Sequence, residues 1–133
     1  MSVVQLPLVE SEDVVRMRQQ LKQDMVKLGF SLIEQTKMIT AASELARNTL
    51  RYGGGGHAEI EMLEGFGKRG VRASFVDQGP GIDNLDLAFT DGYTSGGGMG
   101  LGLPGARRLA DEFDIETAPG QGCRVTIIKW KAF

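Results

Sequence analysis

Val71 to Ile82 reads VRASFVDQGPGI, and the reading of that stretch decides the fold. Six strand-like residues, VRASFV, run straight into Asp77, and Gly79 and Gly81 follow two positions apart. A carboxylate taken out of water at a strand end needs a donor to satisfy it. Glycine beyond it strips side chains from the backbone, so a flat ring can approach the chain. An exocyclic amine, as on adenine, is a suitable donor for Asp77. Taken alone the stretch is also a common turn, and the rest of the chain has to decide between the two.

The chain has 133 residues, a length that fits one domain over residues 1–133. Fifteen basic and 17 acidic residues, mixed along the chain, leave a net charge of −2. A nucleic-acid binder would carry a basic face, so that class is not expected. No apolar run approaches the roughly 20 residues that span a bilayer, which argues against a membrane protein. The start, MSVVQLPLVE, lacks a basic n-region, so no signal peptide is expected. One cysteine, Cys123, cannot form an internal disulfide, and a cytoplasmic setting fits. A lone His57 and a lone Cys123 give no zinc spacing. His57 itself reads as a solvent-facing or strand-edge residue.

Glycine is the anomaly, at 19 of 133 residues, bunched at 53–56, 79–81, 92–105 and 120–122. Bunching in a chain with a real core suggests backbone shaped for a ligand. The run Gly53–Gly56 is the exception and reads as plain loop.

In chain order, Val3–Val9 reads as a strand. Glu12 to about Leu28 reads as a helix, with Val15, Leu21, Met25 and Leu28 at helical spacing and Gly29 as its stop. Ser31 opens a second helix, with Glu34 three residues on forming a capping box. That helix carries Ile39, Ala42, Leu45 and Ala46 and runs to about Tyr52. Strands follow near Ala58–Leu63 and Val71–Val76, joined by the turn-rich GFGKRG. Pro80–Gly98 reads as a long loop, a length that is usually functional or disordered. Leu101–Glu112 reads as a helix, and Phe113–Thr117 and Arg124–Trp130 as a closing hairpin around APGQG. The expected fold class is α+β: a two-layer sandwich of helices on one face of a mixed, mostly antiparallel sheet.

Two further stretches carry chemistry. In SELARNTLRY, Glu44 and Asn48 lie four apart and project from one face of the second helix, with Arg51 three beyond Asn48 on that side. A carboxylate, an amide and a guanidinium so aligned suit a base, a metal ligand and a phosphate contact. The simpler reading of this motif alone is a solvated polar face. In SGGGMGLGLPG, Gly98, Gly100 and Gly102 alternate where a helix begins, and such backbone makes an anion cradle. It is not a P-loop, because no Gly-Lys-Ser/Thr follows, and it does not follow a first strand as a dinucleotide fingerprint would.

The order of parts is more specific than any one of them. An acid-amide helix, a strand ending Asp-x-Gly-x-Gly and a long loop closing on Gly-x-Gly-x-Gly resemble the Bergerat-type GHKL ATP-binding fold of gyrase B, Hsp90, histidine kinases and MutL. Over roughly the full length the chain resembles the anti-sigma-factor serine kinases, most closely the RsbT type, the switch kinases of the stressosome. AASELARN, VDQGPGI, DGYTSGGGMGLGLPGARRLADEF and the C-terminal TIIKW carry that resemblance.

The resemblance implies a role for each matching residue. Asn48 would hold Mg2+ between the ATP phosphates, and Glu44 would be the general base for the acceptor hydroxyl. Asp77 would accept the adenine amino group, with Gly79 and Gly81 beside it, Gly81 through water. Gly98, Gly100, Leu101 and Gly102 would wrap the phosphates as part of the ATP lid, and Arg51 matches a basic position that reaches phosphate in several histidine kinases. Two departures stand out. Cys123 occupies the position where many relatives place a threonine supporting the adenine-binding aspartate, and a thiol is the weaker hydrogen-bonding group. Between Asp83 and Gly98 there is no lysine or arginine. Charge at the phosphates would then be met by Mg2+, backbone N–H groups and Arg51, Arg107 or Arg108.

The function implied is a serine/threonine protein kinase of a partner-switching, sigma-factor regulatory pathway. It would transfer the ATP γ-phosphate to a STAS-domain antagonist or scaffold protein and, once released, activate a PP2C-type phosphatase. The alternatives are a nucleotide-gated binding module with vestigial kinase activity, or an anti-sigma factor. A homodimer through the sheets, as in some relatives, stays open. Trp130, Phe113 and the methionines read as core or partner surface, and Phe89 and Tyr93 as lid residues facing a partner.

Overall fold

The computed structural model describes residues 3–51, 53–79, 103–117 and 119–132. Among the described residues five strands and three helices succeed one another: β1 (Val3–Leu8), α1 (Ser11–Leu28), α2 (Leu32–Arg51), β2 (Gly56–Gly65), β3 (Lys68–Asp77), α3 (Leu103–Leu109), β4 (Glu112–Thr117) and β5 (Cys123–Ala132). The strands form one sheet in the order β1-β2-β3-β5-β4. Each neighbouring pair is antiparallel, so the expected mixed sheet is antiparallel throughout its described part. The expected helical layer on one face is observed. The lid stretch, Pro80–Leu101 with Gly102, lies outside the described residues.

The register sorts side chains into ranks, because alternate strand residues share a face. One rank across the sheet is Leu6, Ala58, Phe75, Val125 and Ile115, and the next is Val4, Ile60, Ala73, Ile127 and Phe113. Their central members are buried beneath Met17, Leu21 and Met25 of α1 and Met38, Ala41, Ala42 and Leu45 of α2. Fully burying one such side chain contributes about 1.5–3 kcal/mol. The opposite face is polar. There Arg124 donates to Glu59 at 3.0 Å, His57 meets Glu59 at 2.8 Å, Glu61 pairs with Arg72, and Ser74 bonds Thr126 at 2.9 Å. His57 is therefore half-buried in an ion-paired cluster on an inner strand, rather than a bare surface residue.

Local chemistry fixes the helix ends. Asp13 closes the start of α1 by accepting the N–H groups of Val9 and Glu10 at 2.9 and 3.0 Å. Gly29, at φ 86°, ends it, and the N–H of Phe30 returns to the Met25 carbonyl at 3.0 Å. Ser31 caps α2, its hydroxyl accepting the Glu34 N–H at 3.2 Å, but the Glu34 carboxylate, expected to complete a capping box, pairs with Lys129 at 3.1 Å. The buried stripe of α1 is Val14, Met17, Leu21, Met25 and Leu28, and Val15 is half exposed. Val15, expected on the apolar stripe, is replaced there by its neighbour Val14, which packing on the sheet buries.

β2 and β3 run longer than expected, because Phe66 (φ 53°) and Gly67 (φ 75°) make a two-residue turn that lets Gly65 pair with Lys68. α3 ends three residues before the expected Glu112, whose backbone is instead drawn into β4 beside β5. Lys129 is buried on the helical side of β5. Its Nζ donates to the Leu109 carbonyl and to Glu34 at 3.1 Å each, with Asp111 at 3.5 Å. It therefore ties the start of α2 to the end of α3.

Candidate active site

The rank beyond the core ranks, on the same face, is Leu8, Gly56, Asp77, Cys123 and Thr117. Asp77 lies two residues past Phe75, so strand alternation delivers its carboxylate to the helical side, where it is 7% exposed. Here the apolar ranks give way to a carboxylate, a thiol and a hydroxyl side by side.

Bare backbone surrounds Asp77. The Gly79 N–H donates to its Oδ1 at 2.8 Å. A Cβ on Gly53 would lie 2.3 Å from the Asp77 Cγ, one on Gly122 2.3 Å from the Asp77 carbonyl oxygen, and one on Gly56 1.8 Å from the Val76 oxygen. Gly53–Gly56 is therefore no plain loop: Gly53 packs directly against the carboxylate, and Gly56 lets β2 and β3 close beside it. Burial raises the Asp77 carboxyl above its ordinary value, opposed by the Gly79 N–H. Burial and the neighbouring Asp77 push the Cys123 thiol up to about 11, against a hydrogen bond with Thr117. At neutral pH Cys123 is a protonated thiol. Thr117 donates in turn to the Gly122 carbonyl at 2.7 Å.

α2 brings the second half of the site. Its buried face presses Leu45, Ala46 and Thr49 onto the sheet and carries Asn48 beside them. Asn48, Thr49, Asp77, Leu103 and Cys123 line one cavity of about 20 Å3. That volume suits a water held by polar partners. It is the floor beneath Asp77, not a compartment for a nucleotide. Glu44 stands one turn before Asn48, half exposed, and accepts from Arg47 at 2.7 Å. Arg51 lines a different space, a groove between α2 and α1. The structure thus brings together Asn48, Asp77, Gly79 and Cys123. Gly81, Gly98, Gly100, Leu101 and Gly102 lie outside the described residues.

The donor set fits the groups that the sequence implies. A carboxylate holding one backbone N–H keeps acceptor capacity for an amino group, and an amide oxygen on Asn48 is a hard ligand of the kind Mg2+ takes. Among the described residues no group of three or more His, Cys, Asp and Glu gathers to hold a metal alone. A metal at Asn48 would therefore share its coordination with phosphate and water, the usual habit of Mg2+. Sequence reasoning missed Gly53, Thr49 and Thr117. Only the position of Thr117 had a signal, the hairpin that pairs it with Cys123.

Residues 33–132 match the model of the histidine kinase-, DNA gyrase B- and HSP90-like ATPases, and the chain belongs to that family. It is 42% identical over 118 residues, 89% of each chain, to the serine/threonine-protein kinase RsbT of Bacillus subtilis (strain 168). Within the family it is thus a protein serine/threonine kinase of the RsbT type, and its domain is of the ATP-binding kind. Solved structures agree on the fold. A crystal structure of the RsbU and RsbW domains of Rv1364c from Mycobacterium tuberculosis matches with a TM-score of 0.65 at 19% identity, over 97% of this chain. This chain spans 32% of that longer one. The catalytic domain of the histidine kinase ThkA matches at 0.52 and 17% identity, over 98% of this chain and 99% of that one. Among the described residues no helix is long and apolar enough to cross a membrane.

Proposed function

We propose that the chain transfers the γ-phosphate of Mg-ATP to a serine or threonine hydroxyl of a STAS-domain antagonist or scaffold protein. Once released, it binds and activates a PP2C-type phosphatase, a partner switch set in the cytoplasm. The observation that carries this reading is the meeting of Asn48 and Asp77, 29 residues apart in sequence, on one cavity at the end of β3. Bound Mg-ATP supplies the phosphoryl group and the cation that neutralises charge during transfer. Asp77 accepts the adenine amino group, with bare backbone at Gly53 and Gly79 beside it. Asn48 holds the metal, and Gly98, Gly100, Leu101 and Gly102 enclose the phosphates.

Glu44 takes the proton of the acceptor hydroxyl as its oxygen bonds to the γ-phosphorus and the bond to the leaving ADP oxygen breaks. To do so it has to leave Arg47, an exposed pair of the kind worth at most about 1 kcal/mol. That pair, with a thiol beside Asp77, favours a second reading: a nucleotide-gated binding module with slow chemistry.

Radiolabelled Mg-ATP and a STAS-domain protein encoded beside the chain separate the two. Label on the partner that survives acid and is lost in base supports the kinase. Asn48→Ala should abolish Mg-ATP binding, and Glu44→Ala should keep binding but lose transfer. Normal transfer by Glu44→Ala would remove Glu44 as the base. A stable complex without label would favour the binding module.

A further inference from the structure

The helical layer has an outer side that the site does not use. Between α1 and α2 lie two hollows, of about 580 and 470 Å3, which share Val15 and Arg18 and so form one groove along the helix pair. Val9, Val15, Ile39 and Leu50 give it an apolar floor, and Val9 and Val15 are 72% and 50% exposed. Its walls carry Arg18, Lys22, Arg47 and Arg51 against a single lining carboxylate, Glu10. Counting Glu44, which sits on Arg47 at 2.7 Å, the groove holds four cations to two acids, still a net positive patch on a chain of net charge −2. An apolar floor between like-charged walls is complementary to an acidic, amphipathic segment.

We propose that this groove docks an acidic amphipathic helix of a partner protein. Apart from Val9 and Glu10, whose N–H groups bond Asp13, the walls are helices whose backbone groups are bonded within themselves, so the groove offers mainly side chains. An extended peptide laid on the apolar floor would leave its own N–H and C=O groups unmatched, whereas a helix satisfies them internally. From Thr36 to Arg51 the wall runs 16 residues, about 22 Å at roughly 1.5 Å per step, which is about four turns of a bound helix. Leucine-like residues every three or four positions would lie on Val15, Ile39 and Leu50, with glutamates on both flanks reaching the four cations. At one end stands Arg47, which also holds Glu44. A partner carboxylate taken by Arg47 frees Glu44, so docking and proton abstraction are linked. The docking surface stands without the kinase reading, and only this link rests on it.

The test uses the full chain without nucleotide and a panel of fluorescein-labelled, end-capped 15-residue helical peptides with a leucine stripe and glutamate flanks. Two controls accompany them: the same peptides with lysine for glutamate, and scrambled versions that keep composition but lose the stripe. Fluorescence anisotropy is expected to show binding of the acidic stripe at least tenfold tighter than either control. Arg18→Glu and, separately, Lys22→Glu should each weaken it at least tenfold, while Lys27→Glu, outside the groove, leaves it unchanged. Circular dichroism confirms that the variants are folded, which their exposed positions favour. Absence of binding by the whole panel, equal binding of the scrambled controls, or indifference to both reversals would overturn the proposal. So would sedimentation showing a dimer that Arg18→Glu dissolves, because the occupant would then be a second copy. A loss of phosphotransfer by Asn48→Ala with peptide binding intact would leave the docking surface standing apart from the catalytic reading.

Discussion

Replacing Gly53 with alanine should cost the chain its nucleotide while leaving it largely folded. The added methyl would sit 2.3 Å from the Asp77 Cγ, 2.5 Å from its Cβ and 2.6 Å from Oδ2. Non-bonded carbons settle at about 3.5–4.0 Å, so the carboxylate or the loop has to move by roughly 1 Å or more. Either movement pulls Asp77 off the Gly79 N–H, now at 2.8 Å, or away from the adenine contact proposed for it. A hydrogen bond to a charged group is worth about 1.5–3 kcal/mol. The dissociation constant for Mg-ADP should therefore rise roughly 10- to 150-fold. Overpacking adds about 1–3 kcal/mol of lost stability. Gly54→Ala is the internal control. Gly54 has φ 76° with nothing within 4 Å of a new methyl, so it pays about 1–2 kcal/mol of left-handed strain and touches no part of the site. Urea melts and calorimetric Mg-ADP titrations on both variants separate the two effects. If Gly53→Ala binds within about twofold of the parent, or if Gly54→Ala loses affinity equally, then Asp77 is not what reads the base.

Cys123→Thr replaces a weak donor beside Asp77 with a strong one and should tighten Mg-ADP binding by about 2- to 12-fold, the range for about 0.5–1.5 kcal/mol. The native thiol, buried and raised to about 11, should resist iodoacetamide at neutral pH until urea exposes it, and modification at the unfolded rate would contradict that burial. Asp24 is buried in α1, and desolvation raises its carboxyl above the ordinary 3.8, against a hydrogen bond from Gln20 and the charge of Lys27. Its contribution to stability is full below 3.8 and is lost as pH rises through the folded value, so Asp24→Asn should stabilise the chain at neutral pH and lose that advantage in acid. Urea melts at both pH values check this, and an equal gain at each would refute it.

What the sequence made legible is what local chemistry controls. The stop at Gly29 needs only a residue that accepts φ 86°, and the cap at Ser31 needs only a hydroxyl three residues before a free N–H. Asp77 could be singled out because an acid between a strand and bare glycines is a local anomaly. Gly53 was not legible. It is needed for space rather than for a turn, and the atoms that claim the space belong to Asp77, 24 residues on. Two adjacent valines, Val14 and Val15, fit a helical stripe almost equally, and only packing on the sheet decides which is buried. His57 follows a glycine run that suggests surface. Its partner Glu59 is two residues on along the same strand, but Arg124, which completes the cluster, arrives from β5 across β3. Lys129 alternates into the core face like Ile127 and Val125, a position lysine takes only with partners, and those come from the far ends of α2 and α3.

The two halves of the site are also joined through backbone. α2 leaves its last carbonyls without helical partners, as every helix does. Those of Asn48 and Thr49 are taken by the N–H groups of Gly53 and Gly55, at 3.2 and 2.9 Å. Gly53, so fixed, lies against the Asp77 carboxylate, and that carboxylate holds the Gly79 N–H. Asn48, on the helix, and Asp77, on the strand, are thus linked by one unbroken run of contacts that also ends α2. A shift of the helix end changes the space left for the carboxylate, and a carboxylate drawn toward a ligand pulls on the backbone that closes the helix. The glycines between them supply no chemistry of their own. Their small size is what lets the Asn48 amide and the Asp77 carboxylate, far apart in sequence, share one corner of the sheet.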